Sequence, residues 1–256
     1  MASIVEHVDV LVGNESQSMG LAETSGLLQK ADDGTRENAW RAINEAWGEQ
    51  VESCAAAINS IAGWRLELGR RRSGKSPVHF LDSPAHMNRI SKTTLDVVLS
   101  VAEESMPLAQ RAALLQAKAY GKDRYGPWDQ RSPAPTLGDD DRPIPYAEAL
   151  ELIANAYRSV DPTMGEFVEM MAERKWIEGT VGSRKRPGAY CTAFPKSRTP
   201  RVYMTYTGGT SDVITLAHEL GHAFHSWTMR DLPDSQQSYG MSLAETASTF
   251  GETIVR

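Results

Sequence analysis

The chain has 256 residues, 41% hydrophobic and 23% charged, with a net charge of −6. This length suits one large domain or two small ones. The acidic balance excludes the basic footprint that a nucleic-acid partner requires, and no stretch approaches the roughly 18 apolar residues that span a membrane.

Cys54 and Cys191 are far apart in sequence and form no disulfide framework, so a reducing, cytoplasmic setting is expected. The first residues lack a basic region and carry Glu6 and Asp9, which argues against a secretory signal. Residues 1–34 are weakly patterned, interrupted by Gly13, Gly20 and Gly26, and read as a loosely packed or partly helical lead-in.

A helical region is expected over residues 35–180. Trp40, Ile43, Trp47, Val51, Cys54, Ile58 and Ile61 recur at gaps of three and four, which predicts one long amphipathic helix with a buried stripe. Gly69 and the basic run Arg70–Arg72 end it. Pro77 and Pro84 bracket a loop holding His79 and His86. A helix over 91–105 with Leu95, Val98, Leu99 and Ala102 inward follows, and Pro107 is placed to start another. The connector 121–142 contains the run Asp139–Asp141, read as a solvated loop because it lacks the spacing of a calcium loop. Helices are then predicted over 146–160, with Ala149, Leu150, Ile153 and Tyr157 inward, and from Asp161-Pro162, a capping carboxylate followed by a first-turn proline, to about Glu178.

Residues 181–256 change character. Residues 188–194 and 201–206 are β-branched and aromatic, and predict two strands of a small antiparallel sheet. Gly208-Gly209 breaks the second strand, and Ser211 or Asp212 caps a helix from Val213 to about Met229. That helix carries His218, Glu219 and His222 in the pattern H-E-x-x-H. Residues four apart share a helical face, so two neutral imidazoles can grip one ion while the intervening carboxylate reaches a water on it. A third ligand is needed. Glu245 and Glu252, on a last helix starting near Gly240, compete for the place. Glu245 also fits a capping box, Ser242-Leu243-Ala244-Glu245, and spacing leaves both readings open. Glu252 reads as a carboxylate orienting a ligand or as a solvated helix residue. His225, nearly on the ligand face, reads as substrate-facing or as a surface histidine. Tyr203, Tyr206 or the strand main chain are candidates for aligning a peptide along the sheet edge.

The run G-A-Y-C-T-A-F-P-K-S-R-T-P-R-V-Y-M-T-Y-T-G-G-T-S-D-V-I-T-L-A-H-E-L-G-H-A-F-H-S-W, with M-S-L-A-E-T-A-S-T-F-G-E after it, resembles the oligopeptidase F branch of the thimet oligopeptidase family of zinc metallopeptidases. The resemblance extends over most of the chain from about residue 35. It implies one zinc ion held by His218, His222 and Glu245, and Glu219 as general base. It also implies a mainly helical, zincin-like (neurolysin-like) fold with a small antiparallel sheet beside the active-site helix, acting on internal bonds of short unstructured peptides in a channel. Members are much longer and carry a later segment with a His and Tyr motif that stabilises the oxyanion. A central fragment is therefore the expectation here, with oligomerisation through exposed apolar surface left open. The rival expectations are a zinc-binding fragment without turnover and a metal-free helical module.

Overall fold

The computed structural model describes residues 5–30, 32–133, 142–182 and 185–256. The acidic run Asp139–Asp141 lies outside them. The chain divides into two compact units, one of residues 1–43 with 127–256 and one of residues 44–126.

In the first unit, β1 (His7–Val12) and β2 (Glu15–Gly20) form an antiparallel hairpin with Val10 opposite Gln17. The lead-in is thus a strand pair rather than loose chain. Alternation buries Val8 and Val10 on one face, a signal too short to stand out among the polar residues of β2. The helical part of the lead-in is α1 (Leu21–Gly26). Next, α2 (Asp33–Gly48) carries the fully buried Arg36, whose guanidinium lies 2.9 Å from Asp129 and also donates to the Lys30 carbonyl.

The second unit takes the end of α2 and all of α3 (Val51–Arg72), α4 (Asp82–Asn88) and α5 (Lys92–Ala119). Four expectations are corrected here. The predicted single helix is two, α2 and α3, separated at Glu49-Gln50 after Gly48. Its stripe is not buried: Val51, Ile58 and Ile61 are more than half exposed, and Cys54 is only half-buried. Among the described residues of this unit only Ala117 is buried. Periodicity identifies which face of a helix is apolar, but does not say whether anything covers it. Likewise Val98 and Leu99 of α5 are exposed rather than inward. Finally, α5 runs unbroken through Pro107, which costs one helical hydrogen bond but does not end the helix.

The first unit resumes with α6 (Tyr146–Val160) and α7 (Pro162–Glu173). They pack as a hairpin whose turn is made by the predicted cap: Asp161 accepts from the Thr163 amide at 2.7 Å, and Pro162 opens α7. α7 stops five residues before the predicted end. Lys175 takes a left-handed φ of 54°, and the chain continues as β3 (Ile177–Glu178). That strand pairs parallel with β5 (Thr199–Met204), which pairs antiparallel with β4 (Ala189–Phe194). The order β3-β5-β4 leaves β4 on an edge. β5 begins two residues earlier than predicted and contains Pro200. β3 joins only at Val202 and Tyr203, so β5 is itself still an edge at Pro200, where the missing amide is tolerated.

The remaining elements are α8 (Thr210–Thr228) and α9 (Met241–Val255). α8 lies on the sheet face formed by Val202 and Met204, and joins Ile153, Tyr157, Phe167, Val168 and Met171 of the α6–α7 pair in one core through Leu216 and Leu220. Asp212 does cap α8, from its first turn rather than from the boundary: its carboxylate accepts from the Thr207 amide and hydroxyl at 2.6 and 2.7 Å, and from Gln29 at 2.9 Å.

Candidate metal centre

α8 presents His218 and His222 one turn apart, their rings edge to face at 4.8 Å. α9 packs against α8 and brings Glu245 to the same place. One Glu245 oxygen, Oε2, lies 3.4 Å from His218 Nε2 and 3.6 Å from His222 Nε2. One ligand atom from each of the three residues falls within 4.8 Å of the others, the only such group among the described residues. The two carboxylate distances are too long for charge-assisted hydrogen bonds, which run to about 2.9 Å. They match three donors sharing an ion: ligands about 2.1 Å from a tetrahedral centre lie about 3.4 Å apart.

The alternative reading of Glu245 as a capping-box member does not form. α9 starts at Met241 with Gly240 as its cap, so Ser242 is already inside the helix. Glu245 instead accepts from the Ser248 hydroxyl at 2.8 Å, which steadies its carboxylate. Glu252, two turns further on, places Oε1 2.7 Å from His218 Nδ1. A hydrogen bond there assigns the Nδ1 proton and leaves the Nε2 lone pair facing the cluster. The His222 ring is held by the Ala244 backbone, and burial, followed by the neighbouring His218, lowers its pKa from 6.5. The cluster thus offers two imidazole nitrogens with a carboxylate oxygen beside them, the donor set zinc takes.

Glu219 is 6% exposed. It faces β4, where the Cys191 backbone hydrogen-bonds to its carboxylate, while Oε2 is buried without a partner. Burial raises its pKa above 4.5, with His218 acting against this and Glu245 adding to it. The Cys191 thiol, partly buried and beside that carboxylate, is pushed up to about 12 and stays protonated, desolvation being the main cause. A cleft of about 590 Å³ opens onto this group, bounded by Ala189, Ile214, Thr215, His218, Glu219 and Glu252.

The tyrosines predicted to align a peptide are elsewhere. Val202 and Met204 point into the core with α8, so Tyr203 points to the opposite face of the sheet. There it stacks on Tyr190 at 5.0 Å and hydrogen-bonds the Arg186 backbone. Tyr206 is buried, donates to the Ile144 carbonyl at 2.8 Å, and packs edge-on against Tyr146. Alternation along β5 sets the facing of Tyr203, while Tyr206 lies two residues past the end of that strand. His225 sits on α8 with its ring 4.7 Å from that of Tyr239, and its Nδ1 is buried without a partner. Burial lowers its pKa. Tyr239, in a polar loop, carried no periodic signal that would have found it.

A helix-borne pair of histidines, completed by a glutamate from the next long helix on a mainly helical chain, defines a fold and site of the zincin class. Solved structures agree on the fold. A crystal structure of a putative oligoendopeptidase F from Bacillus anthracis superposes with a TM-score of 0.78 at 17% identity, over 97% of this chain and 45% of that one. PZ peptidase A with an inhibitor gives 0.78 at 20%, over 97% and 44%. The chain belongs to peptidase family M3, whose profile matches residues 26–256. It is 22% identical to oligopeptidase PepF of Bacillus subtilis over 95% of this chain, and 23% identical to an oligoendopeptidase F homolog of Lactococcus lactis over 98%. It spans 35% and 42% of the lengths of these two relatives.

Proposed function

We propose that the chain carries the catalytic centre of a zinc-dependent endopeptidase acting on short unstructured peptides. The observation that carries this reading is the single Glu245 oxygen at ion-sharing distance from both imidazoles, with the unpartnered Glu219 oxygen beside the same cleft. His218, His222 and Glu245 would hold one zinc ion, and Glu252 would orient His218. A bound zinc supplies Lewis acidity at the scissile carbonyl and to an attacking water. Glu219 takes the proton of that water and delivers it to the leaving amine, a role its raised pKa suits. The free edge of β4, beside α8, offers main-chain groups that hold an extended peptide.

His225 keeps a substrate-side role in this reading through its place on α8, about one turn beyond His222. Tyr203 does not: Tyr203→Phe is expected to leave kcat/KM for a quenched peptide within about twofold of the parent, the usual latitude of a site that touches no substrate. The two cysteines without a disulfide framework support a reducing, cytoplasmic setting, and the net charge of −6 speaks against a nucleic-acid partner. No described helix is long and apolar enough to cross a membrane. The exposed apolar residues of α3 and α5 support self-association.

The rival reading is zinc binding without turnover, favoured by the limited share of the relatives' length that the chain spans. Zinc titration of the metal-free protein, followed by a quenched nonapeptide assay, separates the two. Stoichiometric zinc with chelator-sensitive cleavage is the expected result. Zinc without cleavage of any short peptide establishes the rival, and no zinc uptake ends both.

Zinc uptake also has a pH signature. A histidine whose folded pKa lies below 6.5 binds fewer protons in the native chain than in the unfolded one. The contribution of His222 to metal-free stability is therefore full above pH 6.5 and is lost as pH falls towards the folded value. Zinc retention is expected to persist somewhat below pH 6.5 and then collapse as His222 protonates, read as bound metal after dialysis across that range.

A further inference from the structure

Tyr157 has no place in the chemistry above, yet it sits at the junction of three helices of the first unit. It projects from α6, is completely buried, and donates its hydroxyl to the Ala217 carbonyl of α8 at 2.7 Å. Ala217 immediately precedes His218. On its other side the hydroxyl meets Gly251 of α9, which immediately precedes Glu252. A Cβ at Gly251 would overlap the hydroxyl and lie 2.9 Å from the Ala217 carbonyl. One oxygen atom therefore abuts the residues just before both members of the His218–Glu252 hydrogen bond.

We propose that Tyr157 is a positioning residue for the metal centre. Its hydroxyl sets the α8 backbone at Ala217 against α9 at Gly251. Glu252 then meets His218 Nδ1, and Nε2 aims at the site shared with His222 and Glu245. The inference rests on the zinc reading of that cluster.

The hydroxyl is not needed to satisfy α8. A carbonyl inside a helix already accepts from the amide four residues on, and the tyrosine takes its second lone pair. Nor is it needed for burial, since a phenyl ring would fill the same space. What the hydroxyl adds is direction. A buried Tyr O–H keeps a partner, so the ring cannot swing away from Ala217, and Gly251 is the residue type that lets α9 close onto it.

The test compares the full chain with Tyr157→Phe, Gly251→Ala and Glu252→Gln. Zinc affinity is measured by competition with a chromophoric chelator, the visible spectrum of the cobalt-substituted protein reports ligand geometry, and circular dichroism of the metal-free protein reports the fold. Tyr157→Phe is expected to stay folded and to lose about 10- to 100-fold in zinc affinity, the range for groups that orient metal ligands, with an altered cobalt spectrum. In the Glu252→Gln background the same change should cost much less, because its route to His218 is already broken. Gly251→Ala should lose affinity as well, and lose less when the hydroxyl is also absent. Unchanged zinc affinity and cobalt spectrum in Tyr157→Phe would overturn the proposal. So would full additivity with Glu252→Gln, or failure of Tyr157→Phe to fold, which would make the hydroxyl merely structural. A parent chain that takes up no zinc sinks the zinc reading itself. Zinc bound normally by both parent and variant sinks the positioning role alone.

Discussion

Glu219→Gln is expected to lower peptide hydrolysis by about 10²- to 10⁴-fold, the usual contribution of a general base, with zinc content unchanged. The substitution keeps size and shape and removes only the ability to accept a proton. The carboxylate is 6% exposed and is not among the three ligand residues, so its loss leaves the donor set intact. Its environment is that of a poised base. The Cys191 backbone holds it against β4, while Oε2 is left free. Burial lifts its pKa above 4.5 and so strengthens it as an acceptor. The check is kcat for a quenched peptide beside metal content by atomic emission. Parental turnover in the variant would remove Glu219 from the mechanism. Loss of zinc together with activity would make it a structural residue.

Gly221→Ala is expected to destabilise the chain by about 1–3 kcal/mol, the usual cost of overpacking. On an isolated helix the sign would be reversed, because alanine is a better helix former than glycine by about 1 kcal/mol. The difference is α9. A Cβ at position 221 would lie 2.7 Å from the Ala247 carbonyl oxygen and 3.0 Å from Ser248 Cα. Both are backbone atoms, so no side-chain rotation relieves the contact. Ser248 is fully buried, and α9 has to move outwards. Glu245 is on that helix, and Ser248 is the residue that hydrogen-bonds it. Displacement therefore separates the Glu245 carboxylate from His218 and His222, and a loss of zinc affinity of about tenfold or more should accompany a fall in Tm of about 2 to 10 °C. Calorimetry of the metal-free protein and a chelator competition read the two effects separately. A variant more stable than its parent would show that α8 and α9 do not meet so closely in solution.

Much of the architecture around the site was legible because it rests on local interactions. Asp161-Pro162 announces the α6–α7 turn through a cap and a fixed φ, and the structure contains both. Residues 146–160 place Ala149, Ile153 and Tyr157 on one face, and all three are buried. The same reasoning misplaced the stripe on α3, whose apolar face is genuine but uncovered within its own unit. It also missed β3, since two residues paired to a distant strand leave no periodic trace. The sequence also could not place Tyr203 and Tyr206, candidates for aligning a peptide: packing of the sheet on α8 turns Tyr203 to the opposite face, and Tyr206 lies beyond β5 against Tyr146.

By itself, the sequence determined the chemistry on offer. The i, i+4 histidines with a carboxylate between them follow from helical periodicity alone, so the residue types and their common face could be read without any partner element. Only the tertiary structure decided how that offer is completed. It brought Glu245 to both imidazoles and Glu252 to the far side of one of them, across separations that no periodicity spans. It did so by letting α9 approach α8 at Gly221 and Gly251, with the Tyr157 hydroxyl between them. The physical reason is that ligand geometry depends on the distance between two helix axes. That distance is set by the bulk of side chains meeting from different parts of the chain, and in a sequence the absence of a side chain looks like nothing at all.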